Sequence, residues 1–527
     1  MLFVTTRGVH RSCAASSGRH GIVSAMSYRF ILLIASAVLT ACTTVPDAVL
    51  PDVPVSMPDA WQAAALLPAA KTQAASASAS TSTPASMSAS EHVQPHATAS
   101  DQHASPVHAQ VDFHAWWRAL NDDMLNDLID TAIEQNQVLA TAYHRLLEAR
   151  TLRKVSGHAF LPMASFGVQS AQDASAKDSY LQIGLAASWA LAWPVERQGI
   201  ARNALGEVGA AQAQWQAARV ALVADVVRTY GQMRHLQHVL RIVESAACID
   251  RSRAARLLEH QALGIVSAQS AAQAKVEASR SEATVSDVRL TLIDTQYALA
   301  TLIGQPLPDP HWDVPRDQPI VPTFAIDRLP ASLLHTRPQV ALARAQLHMA
   351  AGRLGVSQAA LYPRIALTGS WIYARNVTQN RGSSDANMVP TLGPVIDIPV
   401  FDWGLRVAQR DAQHHALAAA TAAFRQAVLE GYTQTQRALN ALNAASLRKA
   451  SALALQTSAR RAVEINRTML ALGLNSAQHQ LDAASDLLVA DRLDIDANAQ
   501  RLDAFAALYQ SLGGASALGV LGVGDPP

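Results

Sequence analysis

Apolar and polar positions along this chain follow two rhythms. From about 121 to 160, and again from 327 to 361, apolar side chains recur every three to four residues, which predicts helices ended by Pro162 and Pro363. Residues 197–263 and 403–471 predict very long helices, because neither stretch holds a proline although the chain has 24. A glycine, Gly264 or Gly473, breaks each pattern, and a final helix runs to about 303 or 512. Val285, Val288, Leu292, Leu299 and Ile303 form a heptad-like stripe on the first of these.

Between the first helix and the long one the period drops to two. Residues 180–193 place Leu181, Ile183, Leu185, Trp189 and Leu191 on one face and Gln182, Gly184, Ala186 and Ser188 on the other. Residues 163–170 set Phe166 and Val168 against Ser165, Gly167 and Gln169, and 364–375 set Ile365, Leu367, Trp371 and Tyr373 against Arg364, Ala366, Thr368 and Ser370. A fourth stretch, 388–400, is the weakest, interrupted by Pro390, Pro394 and Pro399. Such segments suit strands of a membrane barrel. Four strands cannot close around a channel, and an open edge is not tolerated in lipid, so other copies of the chain must complete the barrel. A small soluble sandwich is the competing reading.

The ordered part is a duplication. Asn136 to Pro162 aligns with Arg337 to Pro363 at a constant offset of 201, and Leu263 to Gln269 aligns with Leu472 to Gln478 at 209. The domain plan is a first repeat over 112–320, a second over 321–515 and a short tail, 516–527. A helix of 67 residues spans about 100 Å, wider than a globular domain. One long helix lying beside two shorter helices stacked end to end satisfies these lengths in each repeat. The fold class is mainly α with a β-barrel portion.

Ahead of the repeats lie two segments of another kind. Residues 1–41 read as a signal peptide: Arg29 precedes the apolar run FILLIASAVLTA, which is too short to span a bilayer as a helix. Met26 is an alternative start. The end of the run, Leu39-Thr40-Ala41-Cys42, resembles a bacterial lipobox and implies cleavage before Cys42 and lipidation of its sulfur. Residues 42–111 are an Ala/Ser/Thr/Pro-rich tether, expected to be disordered because it holds too little apolar surface to offset chain entropy. Its five histidines from His92 to His114 lack the spacing and partners of a metal site.

Composition narrows the function. With 42 basic and 41 acidic side chains, the net charge of +1 lacks the basic excess of a general nucleic-acid binder. Three cysteines make neither a disulfide framework nor a four-cysteine metal site. Cys248, mid-helix, is expected to be a buried small residue. His414 and His415 are adjacent on a helix and cannot face one ligand. No phosphate loop, nucleophile elbow or zinc-protease signature occurs, so no enzyme, cofactor or metal is expected.

Several motifs together resemble TolC-type outer-membrane efflux proteins, in particular the lipoprotein branch that serves resistance–nodulation–division pumps. They are Phe113 to Arg118 with its Trp-Trp pair; Arg337-Pro338-Gln339-Val340, where the family prefers an acidic third residue; Gly355-Val356 through Ala360-Leu361-Tyr362-Pro363; Pro399 to Gly404; and two Leu-Gly-x-x-Ser tips. The resemblance covers about 113–515. It implies a homotrimer with a twelve-stranded barrel on an α-helical tunnel, anchored in outer-membrane lipid. It also implies a periplasmic adaptor and an inner-membrane pump as partners, with small molecules conducted passively outward. It makes Leu263, Gly264, Ser267, Gln269, Leu472, Gly473, Ser476 and Gln478 the adaptor-docking tips, although Ser267 and Ser476 also read as plain helix N-caps. Asp482 and Asp486 are gate candidates, since charged rings constrict and select in channels; as solvated tip residues they would do neither. Ala192-Trp193-Pro194-Val195 departs from the family's strand–helix junction, and His479 stands where an acidic residue is common. A protein-secretion duct and a structural envelope lipoprotein are the other function classes.

Overall fold

The computed structural model describes residues 114–171, 180–322, 337–376 and 387–514. The signal peptide, Cys42, the histidine-bearing tether up to residue 113 and the tail 516–527 fall outside the described residues.

Among the described residues, seven α-helices and four strands follow in order. They are α1 (Asp123–Gln135), α2 (Gln137–Val155), β1 (Met163–Ala171), β2 (Tyr180–Leu191), α3 (Pro194–Ala262) and α4 (Ala268–Leu302). The second repeat supplies α5 (Pro338–Ala359), β3 (Arg364–Asn376), β4 (Asn387–Asp397), α6 (Leu405–Ala471) and α7 (Ala477–Leu512). With 69 and 67 residues, α3 and α6 are each about 100 Å long. Helices α1, α2 and α4 pack along α3, while α5 and α7 pack along α6 and also bridge to α3.

The single helix expected over 121–160 is two. Asn136 is extended, with φ −67° and ψ 120°. Its side chain accepts from Leu139 N at 2.9 Å and donates to the Leu302 carbonyl at 2.9 Å. It therefore starts α2 while tying that start to the end of α4. In the second repeat the described helix begins at Pro338, where proline at the first helical position loses no hydrogen bond.

The sheet runs β1-β2-β3-β4, all antiparallel. The weak fourth stretch is a full strand to Asp397 in spite of Pro390 and Pro394. It lies at the sheet edge, where a missing donor is tolerated.

The largest core sits at the middle of the long helices. Trp116 and Trp117 insert among α1, the 222–233 stretch of α3, the end of α4, the 439–445 stretch of α6 and the end of α7. The Trp116 ring stacks on Tyr509 at 5.1 Å and meets Phe505 edge-on at 5.5 Å. Elsewhere, apart from a small cluster of Val340, Phe424 and Val428 between α5 and α6, the helices meet largely through alanine and glycine. A Cβ on Gly352 would come within 2.6 Å of the Gly199 carbonyl and the Asn203 amide, so α3 and α5 touch backbone to backbone.

The chain leaving α4 is strapped across this core. Gln237 donates to the Trp312 carbonyl at 2.6 Å and Arg234 to that of Val314 at 2.9 Å. Gln318 donates to His235 Nδ1 at 3.3 Å while accepting from Asn498 at 2.9 Å. His235 Nε2 lies 3.2 Å from Asp496, and this arrangement suits a neutral imidazole. Burial holds the His235 pKa below its ordinary value, against the pull of Asp496, with Arg492 and His238 also facing it.

Two outcomes are expected. Trp116→Ala should cost about 3–5 kcal/mol, read as a lowered thermal midpoint in detergent. Because His235 takes up a proton more readily unfolded than folded, its contribution is complete above about pH 6.5 and is lost as pH falls from there through its lower folded-state pKa. Thermal midpoints between about pH 7 and pH 5 should therefore fall less steeply in His235→Gln than in the parent.

Candidate functional site

Two places are candidates for a functional role: the sheet at one end of the helices and the two turns at the other. In the sheet, cross-strand pairs share a face. Phe166, Leu185, Trp371 and Pro390 stand opposite one another in sequence across all four strands, as do Val168, Ile183, Tyr373 and Met388. Phe166, Leu185, Trp371, Leu392 and Ile396 are exposed large hydrophobics on this face. The reverse face carries Ser165, Gln169, Gln182, Ser188, Thr368 and Ser370, the last joined to Thr391 by a 2.6 Å hydroxyl contact. A shallow hollow lies on this polar face between Ser165, Gln169, Gln182 and Ser370. One apolar and one polar face on a sheet with two open edges is the pattern of a barrel wall between lipid and water.

The strand–helix junctions differ between repeats. In the first, Trp193 is extended and Pro194 opens α3; the Trp193 indole donates to the Pro363 carbonyl at 2.8 Å. In the second, Asp402 accepts from the Gly404 and Arg406 amides at 3.1 and 3.2 Å, and Arg406 donates to the Ala360 carbonyl at 3.1 Å. Arg337 is buried and donates to the Gly431 carbonyl and to Gln434 at 2.6 Å, joining α5 to α6. Among the described residues no carboxylate pairs with it, and burial lowers its pKa to about 10.

At the far end both turns are built alike. Gly264 and Gly473 adopt φ +72° and +69°, left-handed values that favour glycine. Ile265 N donates to the His260 carbonyl at 2.8 Å and Leu474 N to that of Met469 at 2.9 Å, closing each helix end. Ser267 and Ser476 cap the next helices, accepting from Ser270 N at 3.1 Å and His479 N at 3.4 Å. Helix termination accounts for the glycines and serines. It does not account for Leu263, Ile265, Leu472 and Leu474, which are 66–72% exposed. Gln269 and Gln478 are exposed beside them.

Asp482 does not stand free. It accepts from Arg253 of α3 at 2.6 Å and from Gln478 at 3.0 Å. Arg253 also pairs with Asp250 at 3.4 Å, and Asp250 accepts from Ser281 of α4. This chain of contacts joins α4, α3 and α7; Asp486 is exposed nearby. Arg253 and Asp482 are 229 residues apart, and no local pattern links them. Cys248, expected to be buried, is exposed and borders a groove with Ser245, Ser252, Leu481 and Leu488, because its helix face turns toward the α3–α7 boundary. His414 and His415 are exposed, their rings nearly perpendicular at 6.1 Å. Among the described residues no cluster of three metal-ligating side chains occurs, and no helix is long and apolar enough to cross a membrane.

A duplicated unit of long helices carrying a two-faced, four-stranded sheet defines the TolC-type class of outer-membrane channels. The sequence profile of outer membrane efflux proteins matches residues 329–514. The chain is 26% identical to the pyoverdine export outer membrane protein OpmQ of Pseudomonas aeruginosa, over 76% of this chain and 88% of that one. It is 27% identical to the outer membrane protein OprJ of the same organism, over 77% and 87% respectively. The fold is that of the MtrE outer membrane channel of Neisseria gonorrhoeae in its open state, with a TM-score of 0.64, 23% identity, and 74% of this chain and 89% of that one covered. Residues 329–514 thus carry the pattern of outer membrane efflux proteins, and the chain is similar over most of its length to outer-membrane efflux channels.

Both partners of the Arg253–Asp482 bridge are partly exposed, so the pair should contribute no more than about 1 kcal/mol. Arg253→Ala should leave the thermal midpoint nearly unchanged while amide exchange quickens locally in α3 and α7 around these residues.

Proposed function

We propose that this protein is the exit duct of a tripartite pump, a homotrimer anchored through lipidated Cys42, that conducts small molecules from the periplasm to the exterior without chemistry of its own. The observation that carries the reading is the two-faced sheet with both edges open, set on helices of about 100 Å whose far turns display unsupported leucines. An unpaired edge in lipid leaves backbone groups unsatisfied, and three copies remove every edge at once. The duct needs energy from elsewhere, and a periplasmic adaptor linked to an inner-membrane resistance–nodulation–division pump would supply it.

The exposed Leu263, Ile265, Leu472 and Leu474 are the surfaces we assign to the adaptor, with Gly264, Ser267, Gln269, Gly473, Ser476 and Gln478 shaping them. Solvated leucines at both tips gain by being covered. We assign the constriction to the level of Asp482 and Asp486. There the Arg253–Asp482 bridge would hold the α6–α7 pair against the α3–α4 pair, and Asp486 would supply a cation-attracting ring.

In planar bilayers the purified protein should conduct, and removing both charges (Asp482→Asn with Asp486→Asn) should raise the conductance several-fold. Conductance equal to that of the parent would remove the gate assignment, and no conductance by either protein would remove the duct. Leu263→Asp with Leu472→Asp should abolish capture of the adaptor while leaving conductance intact; undiminished capture would place the docking surface elsewhere.

A further inference from the structure

The two hairpins start their ladders in equivalent registers. Met163 pairs with Ser188 in the first and Arg364 with Asp397 in the second. The first strands are thus offset by 201 and the second strands by 209, the same offsets that relate the helix ends in sequence. Inside one chain the repeats meet where β2 pairs with β3, with Leu191 opposite Ile365. In a ring of copies the second repeat of one chain meets the first repeat of the next, and the same kind of seam must recur there. Moving each side by its offset turns Leu191 into Val400 and Ile365 into Ala164.

We propose that β4 of one copy pairs with β1 of the next so that Ile396 stands opposite Val168, and that this register seats Phe401 and Trp403 against the neighbour's Phe160–Pro162 turn. The proposal rests on the trimer reading above. Its parity is right: Ile396 and Val168 both belong to the apolar face, and a slip of one residue would turn one of them to the polar side. Of the two prolines in β4, Pro390 then falls beyond Ala171, past the end of β1.

The aromatic part follows from the same equivalence. Inside the chain the seam ends with Trp193 donating to the Pro363 carbonyl, its ring 5.8 Å from Tyr362. The equivalent of Pro363 is Pro162. The equivalent of Trp193 is Asp402, flanked by Phe401 and Trp403, which are 73% and 90% exposed with rings 4.8 Å apart. Trp403 has φ 56°, an unfavourable value for a bulky residue, imposed by the Asp402 turn. Among the described residues of one chain nothing covers these rings. The neighbour offers a hollow bordered by Gly157, Phe160, Arg197 and Ile200, in which the Arg197 guanidinium already lies over the Phe160 ring at 5.8 Å. A second aromatic ring on that guanidinium completes a cation–π sandwich.

The test is disulfide formation in membranes carrying the full chain, in a Cys248→Ser background because Cys248 is exposed. Opposed residues on antiparallel strands lie at a Cα distance a disulfide accepts. Ile396→Cys with Val168→Cys, and Trp403→Cys with Leu161→Cys, should each convert most of the chain into thiol-reversible dimers and trimers. The single variants, and Ile396→Cys with Phe166→Cys or Ser170→Cys, should cross-link far less. A displaced pair that cross-links best would overturn the register. A trimer in detergent with no disulfide at any strand pair would overturn the seam. Trp403→Cys that reacts with a membrane-soluble maleimide and does not cross-link would make lipid the occupant of the aromatic patch and overturn its seating. A chain that stays monomeric in detergent would instead defeat the trimer reading itself.

Discussion

Two helices of about 100 Å are stiff along their axes and weakly held across them, and the fold depends on where lateral support is applied. That place is the middle. There the ends of α1, α4 and α7, the Trp116–Trp117 turn and the strap around Trp312 close one aromatic and aliphatic core against α3 and α6. Away from it, outside the small Val340–Phe424–Val428 cluster, contacts are largely between small residues, with thin stitching such as Arg251–Glu282 at 3.1 Å and Arg289–Glu244 at 3.0 Å. Exposed pairs of that kind contribute little each. The periplasmic halves of the helices can therefore shift sideways at small cost while the centre stays fixed, which is what an opening tube requires.

The division of labour between repeats follows from small local differences. Trp193 and Pro194 close the first strand–helix junction inside the chain, whereas Asp402, Trp403 and Gly404 leave the second junction turned outward. The first junction is closed by a bond from Trp193 to the other repeat, whereas the second, held by Arg406 on the Ala360 carbonyl, still leaves Phe401 and Trp403 exposed for the neighbour proposed above. Two identical halves could close on themselves as readily as on a partner; the difference between the junctions favours the partner.

Much of this was legible in the residues because the determinants are local. Alternation along 180–191 assigns the faces of the sheet without any structure, since one side must be apolar. Glycine and serine at 264 and 267, and again at 473 and 476, specify a left-handed stop followed by a cap. What could not be read depends on partners far along the chain. Asn136 looks like an ordinary helix residue until the Leu302 carbonyl lies beside it. Pro390 and Pro394 argue against a strand until β4 is known to be the edge. Asp482 reads as a free acid because Arg253 is too distant in sequence to suggest itself, and Cys248 reads as core because the α3–α7 groove is invisible in one helix.

The offsets of 201 and 209 between the hairpins also bear on the outer mouth. Helices attach to the described strands at one end only, and the paired ladder runs from Met163 to Ala171 in the first hairpin but from Arg364 to Ala374 in the second. The rise from the first offset to the second means that the second hairpin is longer than the first by the difference, eight residues. In a trimer, taller and shorter hairpins would alternate around the rim. The wall below would repeat sixfold, while the longer ladders of the second hairpins would make the pattern of strand ends threefold.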